Sequence, residues 1–377
     1  LAANPKTGEI LAVASKPDFD PNDYSKYNKE YWRLYPITDT FEPGSTFKLV
    51  TLCASIEENI YNENESFFCS GSVTIAGHTI RCWTSHKGGH GSINFLEAVL
   101  GSCNTAFIAL GERLGPERMF EYIRAFGYGA KTGLDYPGEG TGLIFRPEQI
   151  GPLELATSSF GQGVSVTPLQ QVMAVSAIAN GGRLLRPYVI GEIRDVDGNV
   201  VEKRGPEMVR QVISEDTAKR ATAIMEEVVN MGSGANAVIE GYRIAGKTGT
   251  AQKVGPGGVY MPDEFILSFI GFAPAEDPQI LLYIAVDGAK RGPQWGSQVS
   301  APLFRAIMKD VLSYLEIPPA RPAGEEEVKL IEVPELKGKT VDEAGALLDN
   351  RGLLLKLVGK EGIIKDQTPK AGAQVPL

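Results

Sequence analysis

Apolar positions along this chain recur with two periods, two and about three and a half, and the switches between them mark its elements. Residues 1–18 alternate as strand, tight turn at Pro5 to Gly8, and strand. The chain enters this hairpin with no lead-in, which predicts that Leu1 follows an earlier segment of a longer protein. Residues 19–42 are polar and aromatic without a period and predict a loop. After Phe41-Glu42-Pro43-Gly44 the pattern turns helical from Ser45 to Glu58. A small hairpin is expected over 67–82 around Gly71 and Gly77, then helices over 93–114, 116–126 and 168–180. The stretch 186–204 predicts a hairpin turning on Asp195-Val196-Asp197-Gly198-Asn199. That acidic turn lacks the later glutamate of a calcium loop and reads as a plain turn. A helix over 214–231, strands over 243–252, 264–273 and 279–287, and a helix over 299–315 complete the body. Helices first, then a meander backed by a last helix, predict an α+β fold with an antiparallel sheet.

Pro318 to Glu327 is rich in Pro, Ala, Gly and Glu, the composition of a linker. The expected division is a body at 1–317, a linker at 318–328 and a small α+β unit at 329–377. That unit reads as one helix, Thr340 to Gly352, between strands, and Thr340 with Glu343 forms a capping box. It closes on Val375-Pro376-Leu377 without a stop signal, which predicts an incomplete unit.

Length changes little in this picture, since 377 residues exceed what one hydrophobic core supports. A formal charge of -9 argues against a nucleic-acid partner or adhesion to an anionic membrane. No apolar run reaches the roughly 18 residues that a membrane span needs, and no secretory signal pattern is present.

Three short motifs carry candidate chemistry. In Ser45-Thr46-Phe47-Lys48 the first and fourth side chains share a helix face. A serine hydroxyl needs a base to become a nucleophile, and a lysine whose pKa is lowered by burial can be that base. Pro43-Gly44 before it fits a helix start whose free N–H groups polarise an acyl carbonyl. In Ser102-Cys103-Asn104 the serine could pass a proton to a leaving group and the asparagine hold a substrate amide; standing alone, the tripeptide would read as a helix cap. In Lys247-Thr248-Gly249-Thr250, at a strand end, the cation and hydroxyls suit a carboxylate, and the glycine would let a ligand lie close to the strand. Each motif is weak alone. Their order and distances match the S-x-x-K, S-x-N, K-T-G set of penicillin-binding proteins and serine β-lactamases.

From Leu1 to about Leu315 the chain resembles the transpeptidase domain of class B penicillin-binding proteins. The likeness extends to Asn4-Pro5-Lys6-Thr7-Gly8-Glu9-Ile10-Leu11-Ala12, Phe160-Gly161-Gln162-Gly163-Val164-Ser165-Val166-Thr167-Pro168 and Gly246-Lys247-Thr248-Gly249-Thr250-Ala251-Gln252. Residues 329–377 resemble a PASTA repeat. Cys82-Trp83 and Ser102-Cys103-Asn104 are most similar to the sporulation-specific cortex-synthesis type. The resemblance implies an antiparallel sheet packed between helices and a D,D-transpeptidase working through a Ser45 acyl-enzyme. Lys48 would be base, Ser102 proton relay, Asn104 amide ligand, and Lys247, Thr248 and Thr250 the carboxylate site, with the N–H groups of Ser45 and Thr250 as oxyanion hole. It also implies peptidoglycan stem peptides and β-lactams as ligands, a lipid II polymerase as partner, and anchorage on the extracytoplasmic membrane face by an N-terminal segment. A β-lactamase would need a base for deacylating water, and no motif supplies one. A β-lactam sensor or an idle wall-synthesis scaffold is the rival of another class.

The chemistry itself needs no cofactor. Cys69, Cys82, His90 and Cys103, however, are a donor set for a tetrahedral structural zinc. In an oxidising compartment cysteines near one another tend instead to pair. The resemblance to the sporulation enzymes implies a Cys82–Cys103 disulfide with a redox-switch role, and that to rod-shape relatives implies zinc; both readings stay open, as do unlinked thiols. Cys53 is expected to be a buried apolar residue, His86 a spare ligand, and His78 a solvated hairpin residue.

Overall fold

Five strands build the sheet that organises the molecule: β1 (Ala2–Ala3), β2 (Ile10–Ala12), β3 (Ala245–Val254), β4 (Tyr260–Ala273) and β5 (Ile280–Asp287). In the computed structural model, which describes residues 1–62, 64–319, 330–359 and 362–376, they pair in the order β3-β4-β5-β1-β2. Every pairing is antiparallel. The N-terminal hairpin therefore adds to the meander at its far side, with Ala2 opposite Leu282. Among the described residues, the long strand β3 is left with one free edge.

Alternation along β4 and β5 shows why the sheet must be covered on both faces. Phe269, Ile280 and Leu282 pack with Phe304, Met308 and Leu312 of the C-terminal helix Gly296–Tyr314. Ile270, Phe272, Leu281 and Tyr283 point the other way, into a larger helical core with Phe47, Phe107 and Met173. At the centre of that core lies the helix Lys48–Glu57, whose residues from Lys48 to Ile56 are all buried. A helix apolar on every face belongs inside a protein. The α+β expectation of a sheet between helices holds.

The helices Pro168–Ala179 and Glu215–Met231 start where their caps place them, at Thr167 with Gln170 and at Ser214. The longest helix, Asn104–Ala125, is broken at Gly115, whose φ of 73° Pro116 follows. Two expectations change. The helix read over 93–114 is instead a strand (Gly91–Asn94), a short helix (Phe95–Leu100) and a break before Asn104. Asn94 and Glu97 form a capping box that starts the new helix inside the apolar period. The hairpin read over 67–82 is two pairings, Ser72–Ile75 with His78–Arg81, and Ser66–Cys69 with the distant Gly91–Asn94. Helix Pro152–Ser158 was too short to leave a period in the sequence.

Most of the expected linker, residues 320–328, lies outside the described residues. Beyond it, Leu330–Glu332 pairs with Gln374–Pro376, and the helix Val341–Asp349 opens on the Thr340–Glu343 capping box. Leu336, Ala344 and Leu348 form its small core. Among the described residues no helix is long and apolar enough to cross a membrane.

Candidate active site

Ser45 lies in a 3-10 turn, Gly44–Thr46, that runs directly into the buried helix Lys48–Glu57. The turn is held from outside: the Gly44 N–H donates to the Gly161 carbonyl at 3.0 Å, and Gly161 has φ +88°. A Cβ on Gly161 would come within 2.1 Å of the Gly44 oxygen, so the glycine of the Phe160–Pro168 motif is what allows this approach. Ser45 itself is half-buried at the floor of a cleft of about 1110 Å³.

One helical turn on, Lys48 is wholly buried. Its ammonium donates to the Ser102 carbonyl at 2.7 Å, the Ser102 hydroxyl at 3.1 Å and Asn104 Oδ1 at 2.7 Å. It also stands 5.2 Å from the centre of the Phe107 ring. Burial lowers its pKa to about 8, against a smaller opposing effect of Cys82 and Cys103. The first two sequence motifs thus meet through one lysine. Ser102 sits in the break between helices with φ 50°, unusual for a residue with a side chain. Asn104 opens the long helix and its amide donates to the Arg81 carbonyl at 3.1 Å.

The third motif runs along β3, whose free edge borders the cleft. Thr248, Thr250 and Gln252 line the cleft, while Lys247 and Gly249 fall on the opposite, interior face. Lys247 is fully buried, and burial, with help from the charge of Lys48, pushes its pKa well down. The Thr248 hydroxyl donates to the Ser233 hydroxyl at 3.1 Å, and Thr250 Oγ1 accepts from the Gly296 N–H at 3.1 Å. Gly249 has a different reason from the expected one. Its Cβ would meet Ser268 Oγ at 2.3 Å and Thr46 Cγ2 at 3.0 Å, so the glycine lets β3 lie against the Ser45 turn. The sequence held no signal for Ser233, Ser297 or Trp295, which come to the cleft from separate loops and helix starts.

Behind Ser102 and Asn104, the ligand atoms of Cys69, Cys82, His90 and Cys103 all lie within 4.8 Å of one another. The three thiols are buried and free. His90 Nδ1 is 3.6 Å from Cys82 Sγ and 3.1 Å from Thr84 Oγ1, while its Nε2 is buried with no partner. The Cys103 thiol and His90 favour Cys82 as thiolate against the effect of burial. His86 is exposed and turns to the Trp83 carbonyl, outside the cluster. His78 is exposed on its hairpin, and Cys53 is buried on the nucleophile helix.

A sheet flanked by helices, with this cleft at its edge, is the architecture of penicillin-recognising domains. Residues 1–309 match the penicillin binding protein transpeptidase domain and residues 331–376 the PASTA domain, so the chain belongs to the penicillin-binding protein transpeptidase family. Stage V sporulation protein D of Bacillus subtilis is 48% identical across 100% of this chain and 58% of its own length. Peptidoglycan D,D-transpeptidase FtsI of Escherichia coli K12 is 35% identical over 83% of the chain and 50% of its own length. The chain thus spans about half the length of these relatives. The crystal structure of penicillin binding protein 3 from Mycobacterium tuberculosis, complexed with aztreonam, superimposes with a TM-score of 0.77 at 32% identity, covering 85% of this chain and 73% of that one.

Proposed function

We propose that the chain is the acyl-transferring part of a serine D,D-transpeptidase that crosslinks peptidoglycan stem peptides in cell-wall or spore-cortex synthesis. The observation that carries this is the buried Lys48, one turn from Ser45, shared between Ser102 and Asn104 at the floor of the cleft. Neutral Lys48 accepts the Ser45 hydroxyl proton as Oγ attacks the carbonyl of a terminal D-alanyl-D-alanine bond. The Ser45 and Thr250 N–H groups take the developing oxyanion. The C–N bond breaks, and Lys48 returns the proton through the Ser102 hydroxyl to the departing D-alanine amine. Asn104 orients the stem amide. Thr248 and Thr250 bind the terminal carboxylate at the strand edge, with Lys247 behind them. An amine from a second strand then attacks the Ser45 ester, forming the crosslink and freeing the serine.

Intact mass after exposure to a fluorescent penicillin tests the nucleophile: one adduct per chain, absent from Ser45→Ala. Release of that adduct within seconds would point to a β-lactamase. A stable adduct without crosslinking of lipid-linked strands would point to a sensor or scaffold. We place the protein on the extracytoplasmic membrane face, beside a lipid II polymerase and held by a segment preceding Leu1. Co-purification of the membrane-bound full-length protein with such a polymerase tests that placement.

We further propose that Cys69, Cys82, His90 and Cys103 hold a structural zinc. Three sulfurs and one nitrogen within 4.8 Å suit tetrahedral coordination, and His90 Nδ1, 3.6 Å from Cys82 Sγ, faces the thiols. The metal would supply no chemistry to the acyl transfer; it would fix Cys103 and so the segment between Ser102 and Asn104. One zinc per chain by elemental analysis, with four thiols titrating after denaturation and chelation, is expected. Two missing thiols restored by reductant would establish the Cys82–Cys103 disulfide instead.

A further inference from the structure

The PASTA domain does not hang clear of the cleft. Val341, Gly345 and Asp349 lie four residues apart on its helix and so form one stripe. Ala344 and Leu348, on the adjoining face, fill the domain's own core. Val341 and Asp349 line the active-site cleft together with Ser45, Thr248 and Thr250. Gly345 is pressed to the start of the C-terminal helix: its Cβ would lie 3.3 Å from Trp295 Cδ1 and 3.4 Å from Pro293 Cβ. Gln298 clamps the next turn, donating to the Leu353 carbonyl at 2.9 Å and accepting from the Leu355 N–H at 3.1 Å.

This stripe brings a carboxylate to a place where the substrate has one. Asp349 is 6% exposed, and burial raises its carboxyl pKa to about 7, against the smaller opposing pull of the Ser297 hydroxyl and the charges of Lys247 and Lys87. Lys247, with Thr248 and Thr250 beside it, is the group assigned above to the terminal carboxylate of the stem peptide. Two carboxylates cannot share one cationic site without repelling each other. The seam is also poorly satisfied, since Asp349 Oδ1, Trp295 Nε1 and Gln294 Oε1 are all buried without partners. Unpaired buried polar atoms regain water when a contact opens, which makes the docked state readily reversible.

We infer that the docked PASTA domain is an autoinhibitory wall of the cleft, with Asp349 standing in for the donor carboxylate, and that acylation proceeds from the undocked state. The inference rests on the transpeptidase reading of the carboxylate site. A site competent only when undocked has its apparent rate reduced by the undocked fraction.

Two undocking variants of the full chain test it from opposite sides of the seam. Gly345→Trp wedges the PASTA helix away from Trp295, and Gln298→Ala removes the clamp while leaving the PASTA sequence intact. Asp349→Asn, assayed at pH 8, keeps the contact and removes the charge that Asp349 carries above about pH 7. The readout is the second-order rate of Ser45 acylation by a fluorescent penicillin, with thermal melting to confirm that each variant folds. Both undocking variants are expected to acylate faster, by up to about tenfold where the docked state holds nine molecules in ten. Asp349→Asn is expected to shift the rate in the same direction. Rates in the undocking variants equal to or below that of the unaltered chain overturn this inference alone. No Ser45 adduct in any variant would overturn the transpeptidase reading and this inference with it.

Discussion

Replacing Gly249 by alanine separates two reasons for a glycine in the third motif. The new Cβ would stand 2.3 Å from Ser268 Oγ, 3.0 Å from Thr46 Cγ2 and 3.3 Å from the Pro43 carbonyl oxygen. The first contact is impossible as it stands, and Ser268 is buried in β4, opposite Gly249 in the ladder. Forcing a methyl into a packed interior costs about 1–3 kcal/mol. In a domain of this size that lowers the melting temperature by roughly 1.5–5 °C. The strand must also move away from the nucleophile turn, and a displacement near 1 Å at a reacting centre costs on the order of 100-fold in rate. Removing the Ser268 hydroxyl leaves nothing nearer than Thr46 Cγ2 at 3.0 Å, a contact relieved when that methyl gives by a few tenths of an ångström. Ser268→Ala alone should cost no more than about 1.5 kcal/mol, the worth of one hydrogen bond. The pair should then be coupled by about 1–2 kcal/mol, with the double variant recovering most of the lost stability and acylation. Thermal melting and penicillin acylation of the four proteins measure both quantities. An unchanged melting temperature in Gly249→Ala, with acylation lost and not restored by Ser268→Ala, would refute the packing argument and return the glycine to a ligand-facing role.

Three further outcomes follow from the same geometry. Lys48 acts as base only when neutral, and burial lowers its pKa to about 8, so acylation should climb about tenfold per pH unit below that value and level off above it. Lys48→Arg, charged at every accessible pH, should lose at least about 100-fold, and a flat profile between pH 6 and 9 would count against Lys48 as base. Gly161→Ala, with φ +88° and a Cβ 2.1 Å from the Gly44 oxygen, should destabilise the fold by more than about 1–2 kcal/mol and slow Ser45 labelling, as melting and labelling together would show. Where zinc fills the cysteine cluster, a strong chelator should lower the melting temperature and slow acylation; no effect of chelator on a zinc-loaded chain would dissociate the cluster from the Ser102–Asn104 segment.

The candidate catalytic groups could be picked out in the linear sequence because each motif is local. Ser45 and Lys48 share a helix face whatever surrounds them, and Lys247 to Thr250 alternate on any strand. The three meander strands, the capped helices and the Thr340–Glu343 box were fixed by short-range periodicity and caps, and so were read within a few residues. The break at Ser102 was not, although Gly101 caps the short helix before it, because the φ of 50° falls on a residue with a side chain, whose carbonyl accepts from the distant Lys48. Pairing of Ser66–Cys69 with Gly91–Asn94 likewise skips the nearer hairpin, a choice of partner that alternation alone leaves open.

Tertiary structure decided what each motif residue faces. It turned Gly249 inward to Ser268, put Lys247 behind the cleft wall, and gave Lys48 partners 54 and 56 residues away. It gathered Cys69, Cys82, His90 and Cys103 to within 4.8 Å, and carried Asp349 from a separate domain into the cleft. The chain by itself specifies which groups exist and how neighbours along one element are spaced. Distances between elements, and the burial that sets the lysine pKa values, arise only when the sheet and helices pack.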